Sequence, residues 1–175
     1  MIGSNKKKIG IFGGSFDPPH KGHLKISKIA INKLSLNKLY WCVTKKNPLK
    51  NKTFFSLSNR LKKSRLLAVK EKKIKIKYFE DKTKSKNTID LIKYLHKNNK
   101  NIEFFLIIGS DNLVNLHKWK GWKLLTKLVK IVVFSRKVYD IKAKKSVTIK
   151  EMKKIIFSKN KPINISSTEI RKKLT

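Results

Sequence analysis

The sequence predicts an α/β fold, a parallel sheet with helices on both faces. Short apolar runs of strand length alternate with segments whose apolar residues recur every three or four positions. Three polar segments able to bind a ligand also follow strand-like runs, after Phe12, after Ile108 and after Ile165. Open parallel sheets bind ligands beyond the carboxyl ends of their strands, so the three segments are expected to form one site.

Taken in order, Ile9 to Phe12 reads as a buried strand, and Gly13-Gly14 as the tight turn after it. Leu24, Ile26, Ile29, Ala30 and Leu34 fall at helical spacing. Leu39 to Val43 is a second strand, and Asn47-Pro48 marks a loop. Leu57, Leu61, Leu66, Leu67 and Val69 predict a helix that starts near Ser56 or Ser58. Ile74, Ile76 and Tyr78 alternate with lysines, as in an outer or half-buried strand. A helix follows from about Thr88 to His96. Ile102 to Ile108, ending at Gly109, is the clearest strand of the chain. One or two helices carry Leu113, Leu116, Trp119, Trp122 and Leu125, and Lys130 to Phe134 is another strand. Ile149 to Phe157 reads as helix, Ile163 to Ile165 as a last short strand, and Ser167 to Leu174 as a last helix.

A chain of 175 residues, 39% hydrophobic, suits one domain over residues 1–175 with a real core. No apolar run approaches the ~20 residues that span a bilayer, and the Lys-rich N-terminus lacks the longer apolar region of a secretory signal. The single cysteine, Cys42, excludes an internal disulfide. The expectation is a soluble, cytoplasmic protein. The net charge of +35 would suit a nucleic-acid binder. Yet only Arg60, Arg65, Arg136 and Arg171 are arginine, and the other 41 basic residues are lysines spread along the whole chain. Readers of nucleic acid favour the planar arginine fork. The pattern therefore points to compositional drift, with no specific nucleic-acid partner.

The chemistry concentrates in Gly13-Gly14-Ser15-Phe16-Asp17-Pro18-Pro19-His20-Lys21-Gly22-His23. It is neither a Walker A loop nor a G-x-G-x-x-G fingerprint, but it suits phosphate. The two glycines let backbone approach a ligand, and Asp17-Pro18-Pro19 makes a rigid turn. His20 and His23, three apart at a helix start, can share one side, and Gly22 leaves room between them. Ser166-x-x-Glu169 has the spacing of a capping box. Ser167, Thr168 and their amides could also hold phosphate, with Arg171 one turn on.

The first string resembles the signature of the nucleotidylyltransferase superfamily, which implies a Rossmann-like fold with both histidines on the phosphates of ATP. Three more segments resemble the bacterial nicotinate-nucleotide adenylyltransferase family. They are Asn47-Pro48-Leu49-Lys50, then Ile108-Gly109-Ser110-Asp111-Asn112-Leu113 followed by Trp119, then Ile165-Ser166-Ser167-Thr168-Glu169-Ile170-Arg171. All stand in the family's order.

The resemblance implies adenylyl transfer from ATP to nicotinate mononucleotide, giving nicotinate adenine dinucleotide and pyrophosphate. His20, His23 and Arg171 would be catalytic. Gly13, Gly14, Ser15 and Phe16 would join the histidines around ATP, together with Gly109, Asp111 and the Ser166, Ser167, Thr168 turn. Asn47, Lys50, Thr88, Asp111 and Trp119 would hold the mononucleotide, with Trp119 stacked on the pyridine ring. Backbone amides near Trp119 and Thr88 would favour a carboxylate over an amide. Mg²⁺ would arrive mainly on the ATP phosphates, with no dedicated protein ligands. A sister enzyme acting on another phosphate ester, such as pantetheine phosphate, and a basic nucleic-acid binder are the alternatives. Oligomeric state stays open.

The chain departs from the family in three places. Asn87-Thr88 stands where Tyr-Thr is usual, and Arg136 is followed by Lys137-Val138 rather than Pro-Gly. Four residues follow Arg171, where relatives usually continue into another helix.

Overall fold

A computed structural model describes residues 6–45, 53–136, 139–151, 155–158, 160 and 165–174. The elements run β1 (Lys7–Gly14), α1 (Lys21–Lys33), β2 (Lys38–Val43), α2 (Leu57–Leu67), β3 (Ile74–Lys77), α3 (Glu80–Thr83) and α4 (Thr88–Lys97). They continue with β4 (Ile102–Gly109), α5 (Ser110–Val114), a 3-10 turn (Leu116–Lys118), α6 (Trp122–Leu128) and β5 (Lys130–Phe134). The last are α7 (Asp140–Lys144), α8 (Val147–Glu151), β6 (Ile155–Ser158) and α9 (Ser167–Lys172).

The six strands form one sheet in the order β3-β2-β1-β4-β5-β6. Every pairing is parallel, with Ile11 beside Tyr40 on one flank of β1 and beside Leu106 on the other. This is the Rossmann-like arrangement expected from the sequence, and its strand order reverses between β1 and β4.

Alternation along the strands builds two cores. Ile9, Ile11, Phe104, Leu106, Ile108, Ile131 and Val133 face α4, α5 and α6, meeting Ile89, Ile92, Leu95, Leu113 and Leu125. Phe12, Leu39, Trp41, Val43, Phe105, Ile107 and Val132 face α1, meeting Ile26, Ala30 and Ile31. Both faces of β4 are buried, which explains its unbroken apolar run.

Four expectations are corrected. Gly13 and Gly14 continue β1, opposite Cys42 and Val43, because the parallel ladder extends to them. The residue with positive φ is instead Phe16, at 47°. The segment from Ile149 to Phe157 is not one helix: α8 ends at Glu151, and Ile155–Ser158 forms β6 against β5. A short apolar run such as Ile155-Ile156-Phe157 carries no period that separates strand from helix. Ile165 is not in a strand, and the rest of that predicted strand lies outside the described residues. Finally, α2 starts at Ser56 as expected but buries Arg60 and Ser64, while Leu66 and Val69 stand 64% and 73% exposed.

One hydrogen-bonded chain ties α1 to the sheet. The Ser27 hydroxyl donates to the His23 carbonyl at 2.8 Å and accepts from the Trp41 indole at 2.7 Å. Ser27→Ala would strand that N–H in the core, where an unpaired donor costs roughly 1–3 kcal/mol. Urea denaturation should show a loss of that size, and an unshifted midpoint would mean that the indole has another partner.

Candidate active site

The site is built where the chain leaves β1. The Phe16 ring turns into the core and stacks on Trp41, with centroids 4.9 Å apart and 16° between planes. Only the Phe16 backbone is therefore left for a ligand. Asp17 is buried, and its carboxylate accepts from the Phe54 and Phe55 amides at 2.7 and 2.9 Å. These bonds fix the turn and deliver His20 to the N-cap of α1.

The two histidines lie against each other, with ring centroids 3.8 Å apart. The Gly22 amide donates to His20 Nδ1 at 3.2 Å, and the His20 amide donates to His23 Nδ1 at 3.2 Å. With both Nδ1 atoms accepting, each neutral ring carries its proton on Nε2. Burial lowers the His20 pKa to about 4, with Arg136 adding to the effect and Glu169 opposing it. Burial, then His20 and Arg136, holds His23 well below the usual value. The arrangement is a pair of neutral N–H donors, suited to phosphate oxygens.

The last helix closes over the same turn. Ser167 Oγ donates to the Pro18 carbonyl at 3.0 Å, and Arg171 Nη1 donates to the Asp17 carbonyl at 2.6 Å. Arg171 also approaches Asp17 Oδ2 at 3.9 Å and donates to Thr168 Oγ1 at 3.1 Å. The predicted capping box is present, so the Ser166 hydroxyl is spent on the Glu169 amide.

At the end of β4, a side chain on Gly109 would stand 2.3 Å from Asp111 Oδ1. Asp111 faces Arg136 Nε at 3.4 Å. Arg136 is held by its amide, which donates to Ser110 Oγ at 2.9 Å and to Asp140 Oδ1 at 3.1 Å. The fold thus gives Arg136 a place beside the histidines despite the missing Pro-Gly.

A cavity of about 350 Å³ opens beyond β1, β2 and β4. Gly13, Gly14, Thr44, Asn87, Thr88 and Trp119 line it, with Lys86, Lys118 and Lys120 among its other walls. The Thr44 hydroxyl has no hydrogen-bond partner among the described residues. Asn87 donates through its side chain to Ser85 Oγ and Asp90 Oδ2, bracing the start of α4. Thr88 opens that helix, whose first amides have no partner within it. The Trp119 amide, by contrast, is spent on the Leu116 carbonyl at 2.9 Å. That removes one of the two donors expected for a carboxylate.

The fold brings together His20, His23, Ser167, Thr168 and Arg171 on one side, and Gly13, Gly14, Thr88 and Trp119 on the other. Ser15 belongs to the first group, and Gly109 and Asp111 sit at the neighbouring end of β4. Asn47 and Lys50 lie outside the described residues. Thr44 and Arg60 went unmarked in the sequence as site residues, and the role of Arg136 stayed open. For Arg60 the one signal was its rarity beside lysine, and for Arg136 there was also the resemblance to the family's late arginine.

A family described as cytidylyltransferase-like matches residues 11–173. The fold and the site thus define a nucleotide-handling α/β protein of that class. A protein of Pelagibacter ubique named "Probable nicotinate-nucleotide adenylyltransferase" is 46% identical over 98% of this chain and 96% of its own. One of the same name from Clostridium tetani is 37% identical over 96% of this chain and 87% of its own. The chain belongs to the nicotinate-nucleotide adenylyltransferase family. Its fold is also that of the Plasmodium falciparum nicotinic acid mononucleotide adenylyltransferase complexed with NaAD, with TM-score 0.80 and 24% identity. That match covers 97% of this chain and 84% of the other.

The depressed histidine pKa values set a pH dependence. As pH falls, the unfolded chain takes up these protons first, near 6.5, and the folded chain only near 4 for His20. Stability should therefore drop as pH falls through that window. Melting temperatures from acid to neutral pH check it: His20→Asn should flatten part of the slope relative to the parent chain. Equal slopes in both would show that His20 takes up its proton at the same pH in the folded and the unfolded chain.

Proposed function

We propose that this chain transfers the adenylyl group of ATP to nicotinate mononucleotide, releasing pyrophosphate and forming nicotinate adenine dinucleotide. The observation that carries the reading is the pair of neutral Nε2–H donors beside a cavity containing Trp119. Membership of the adenylyltransferase family supports it.

A phosphate oxygen of the mononucleotide attacks the α-phosphorus of ATP. The bond from that phosphorus to the oxygen bridging to the β-phosphorus breaks, and pyrophosphate departs. The nucleophile is already anionic at neutral pH, so no base is needed. The protein's work is positioning and charge stabilisation. His20 and His23 donate to the α-phosphoryl oxygens and the leaving group. Arg171, the Thr168 hydroxyl and the Ser167 and Thr168 backbone amides hold the β and γ phosphates, and Arg136 adds a second guanidinium.

Mg²⁺ comes with ATP as part of the substrate. Among the described residues no three His, Cys, Asp or Glu side chains cluster to hold a metal, and Asp17 is occupied by two amides. Binding through phosphate oxygens and water suits Mg²⁺. The same reading takes residues 1–175 as one domain working in the cytoplasm. Among the described residues no helix is long and apolar enough to cross a membrane.

The pyridine ring stacks on Trp119, and its carboxylate meets the first amides of α4 at Thr88, within a lysine-rich rim. An amide substrate would leave a charge-assisted hydrogen bond unmade, a loss of roughly 1.5–3 kcal/mol, or about 10–150-fold in kcat/KM. Pyrophosphate release with nicotinate mononucleotide, its amide form and pantetheine phosphate, side by side, tests the reading. The acid form should win by at least that factor, and Trp119→Ala should raise its KM while sparing that of ATP. Equal kcat/KM for acid and amide would overturn the substrate, and preference for pantetheine phosphate would reassign the enzyme.

Replacing His20 or His23 by Ala should lower kcat by about 10²–10³-fold, the usual loss of one preorganised donor. Circular dichroism should show the fold intact. A variant with near-normal kcat would remove that histidine from the chemistry.

A further inference from the structure

Arg60 lies on α2 and is 1% exposed, yet its guanidinium points to the functional end of the sheet rather than into an apolar core. It donates to four backbone carbonyls. Nη1 reaches Ser15 at 2.6 Å and Thr44 at 2.7 Å, Nη2 reaches Lys45 at 2.8 Å, and Nε reaches Phe55 at 3.1 Å. Burial lowers its pKa, and Asp17 and Glu80 oppose that shift.

These carbonyls belong to three stretches of chain. Ser15 begins the turn that carries Asp17 and His20. Thr44 and Lys45 follow β2 directly, where Thr44 lines the cavity. Phe55 leads into α2, and its amide is held by Asp17, which Arg171 grips in turn. A continuous hydrogen-bonded path therefore runs from Arg171 through Asp17, the Phe55 peptide and Arg60 to both Ser15 and Thr44. Only a planar fork with five donors can serve four carbonyls at once, and an ammonium cannot reach them all.

We propose that Arg60 is a positioning residue that fixes the triphosphate-side turn against the mononucleotide-side end of β2, so that the attacking phosphate meets the α-phosphorus at the right separation. It touches neither substrate and acts through the Ser15 and Thr44 backbone. The proposal rests on the adenylyl-transfer reading above.

The test uses the full chain with Arg60→Lys and Arg60→Gln, and Arg65→Lys on the exposed side of the same helix as control. Assays run at a temperature where circular dichroism shows every variant folded, with kcat expressed per site titrated by ATP. Each substrate is also titrated alone to give its Kd. In-line transfer loses about 10²-fold for an ångström-scale misplacement. Both Arg60 variants should thus lose about 10–100-fold in kcat, Lys less than Gln, with each separate Kd changed by less than about 3-fold. Arg65→Lys should match the parent chain. Lower melting temperatures with parental kcat per titrated site would overturn the proposal and leave Arg60 a stabilising residue only. So would a fall in activity fully accounted for by weaker binding of each substrate. If the parent chain itself failed to turn over, the adenylyl-transfer reading would fall, and this proposal with it.

Discussion

β1 is hydrogen-bonded in parallel on both flanks, to β2 and to β4. Because both ladders run the same way, every connection returns to the opposite end of the sheet. The strand order reverses at this pair, so the chain leaving β1 and the chain leaving β4 diverge and a crevice opens between them. All the chemistry rests on this constraint. The glycines of β1 form one lip of the crevice, the turn bearing the histidines rises from it, and Asp111 stands across it. The two cores pack both faces of the sheet behind the crevice, through residues such as Ile11 and Leu106 on one face and Trp41 and Ile107 on the other.

Within a chain of net charge +35, the two residues closest to the proposed reaction are uncharged. The long-range field gathers anions, while in the proposed reaction Nε2–H dipoles of fixed direction would hold the phosphoryl group without a proton changing hands. The backbone amides of His20 and Gly22 enforce the tautomer, so the helix cap and the catalytic orientation are the same hydrogen bonds. Arginine is spent sparingly. Arg60, Arg136 and Arg171 each make several directional contacts near the site, and Arg65 alone among the four is exposed.

Much of this was legible in the sequence because it is local. The unbroken run of β4, the Gly-Gly-Ser-Phe-Asp-Pro-Pro-His string and the Ser166-x-x-Glu169 spacing each announce their structure within ten or so residues. What stayed hidden depends on distant partners. Periodicity reads α2 by its leucines, yet its largest fully buried side chain is Arg60, whose acceptors lie just after β1, just after β2 and just before α2. Gly13-Gly14 reads as a turn until the ladder with β2 is known. Phe16 reads as part of a phosphate loop, although its ring belongs to the core against Trp41. The Ile155-Ile156-Phe157 run gives no period, and only the open flank of β5 makes it a strand.

That outer strand has a consequence for handling the protein. Among the described residues β6 ends the sheet, with Ile156 and Phe157 about 40% exposed and one side of its backbone unpaired. An apolar edge of this kind can template intermolecular pairing. The opposite edge, β3, carries exposed Lys75 and Lys77. β6 carries no charge of its own and lies between Lys153-Lys154 and Lys159 in sequence. Mutual repulsion between copies then acts as the guard, and its reach shrinks from about 10 Å at 0.1 M salt to about 3 Å at 1 M. Colloidal stability is thereby tied to ionic strength, so concentrated salt, which many basic proteins need to shed nucleic acid, is the condition in which this chain is most prone to self-associate.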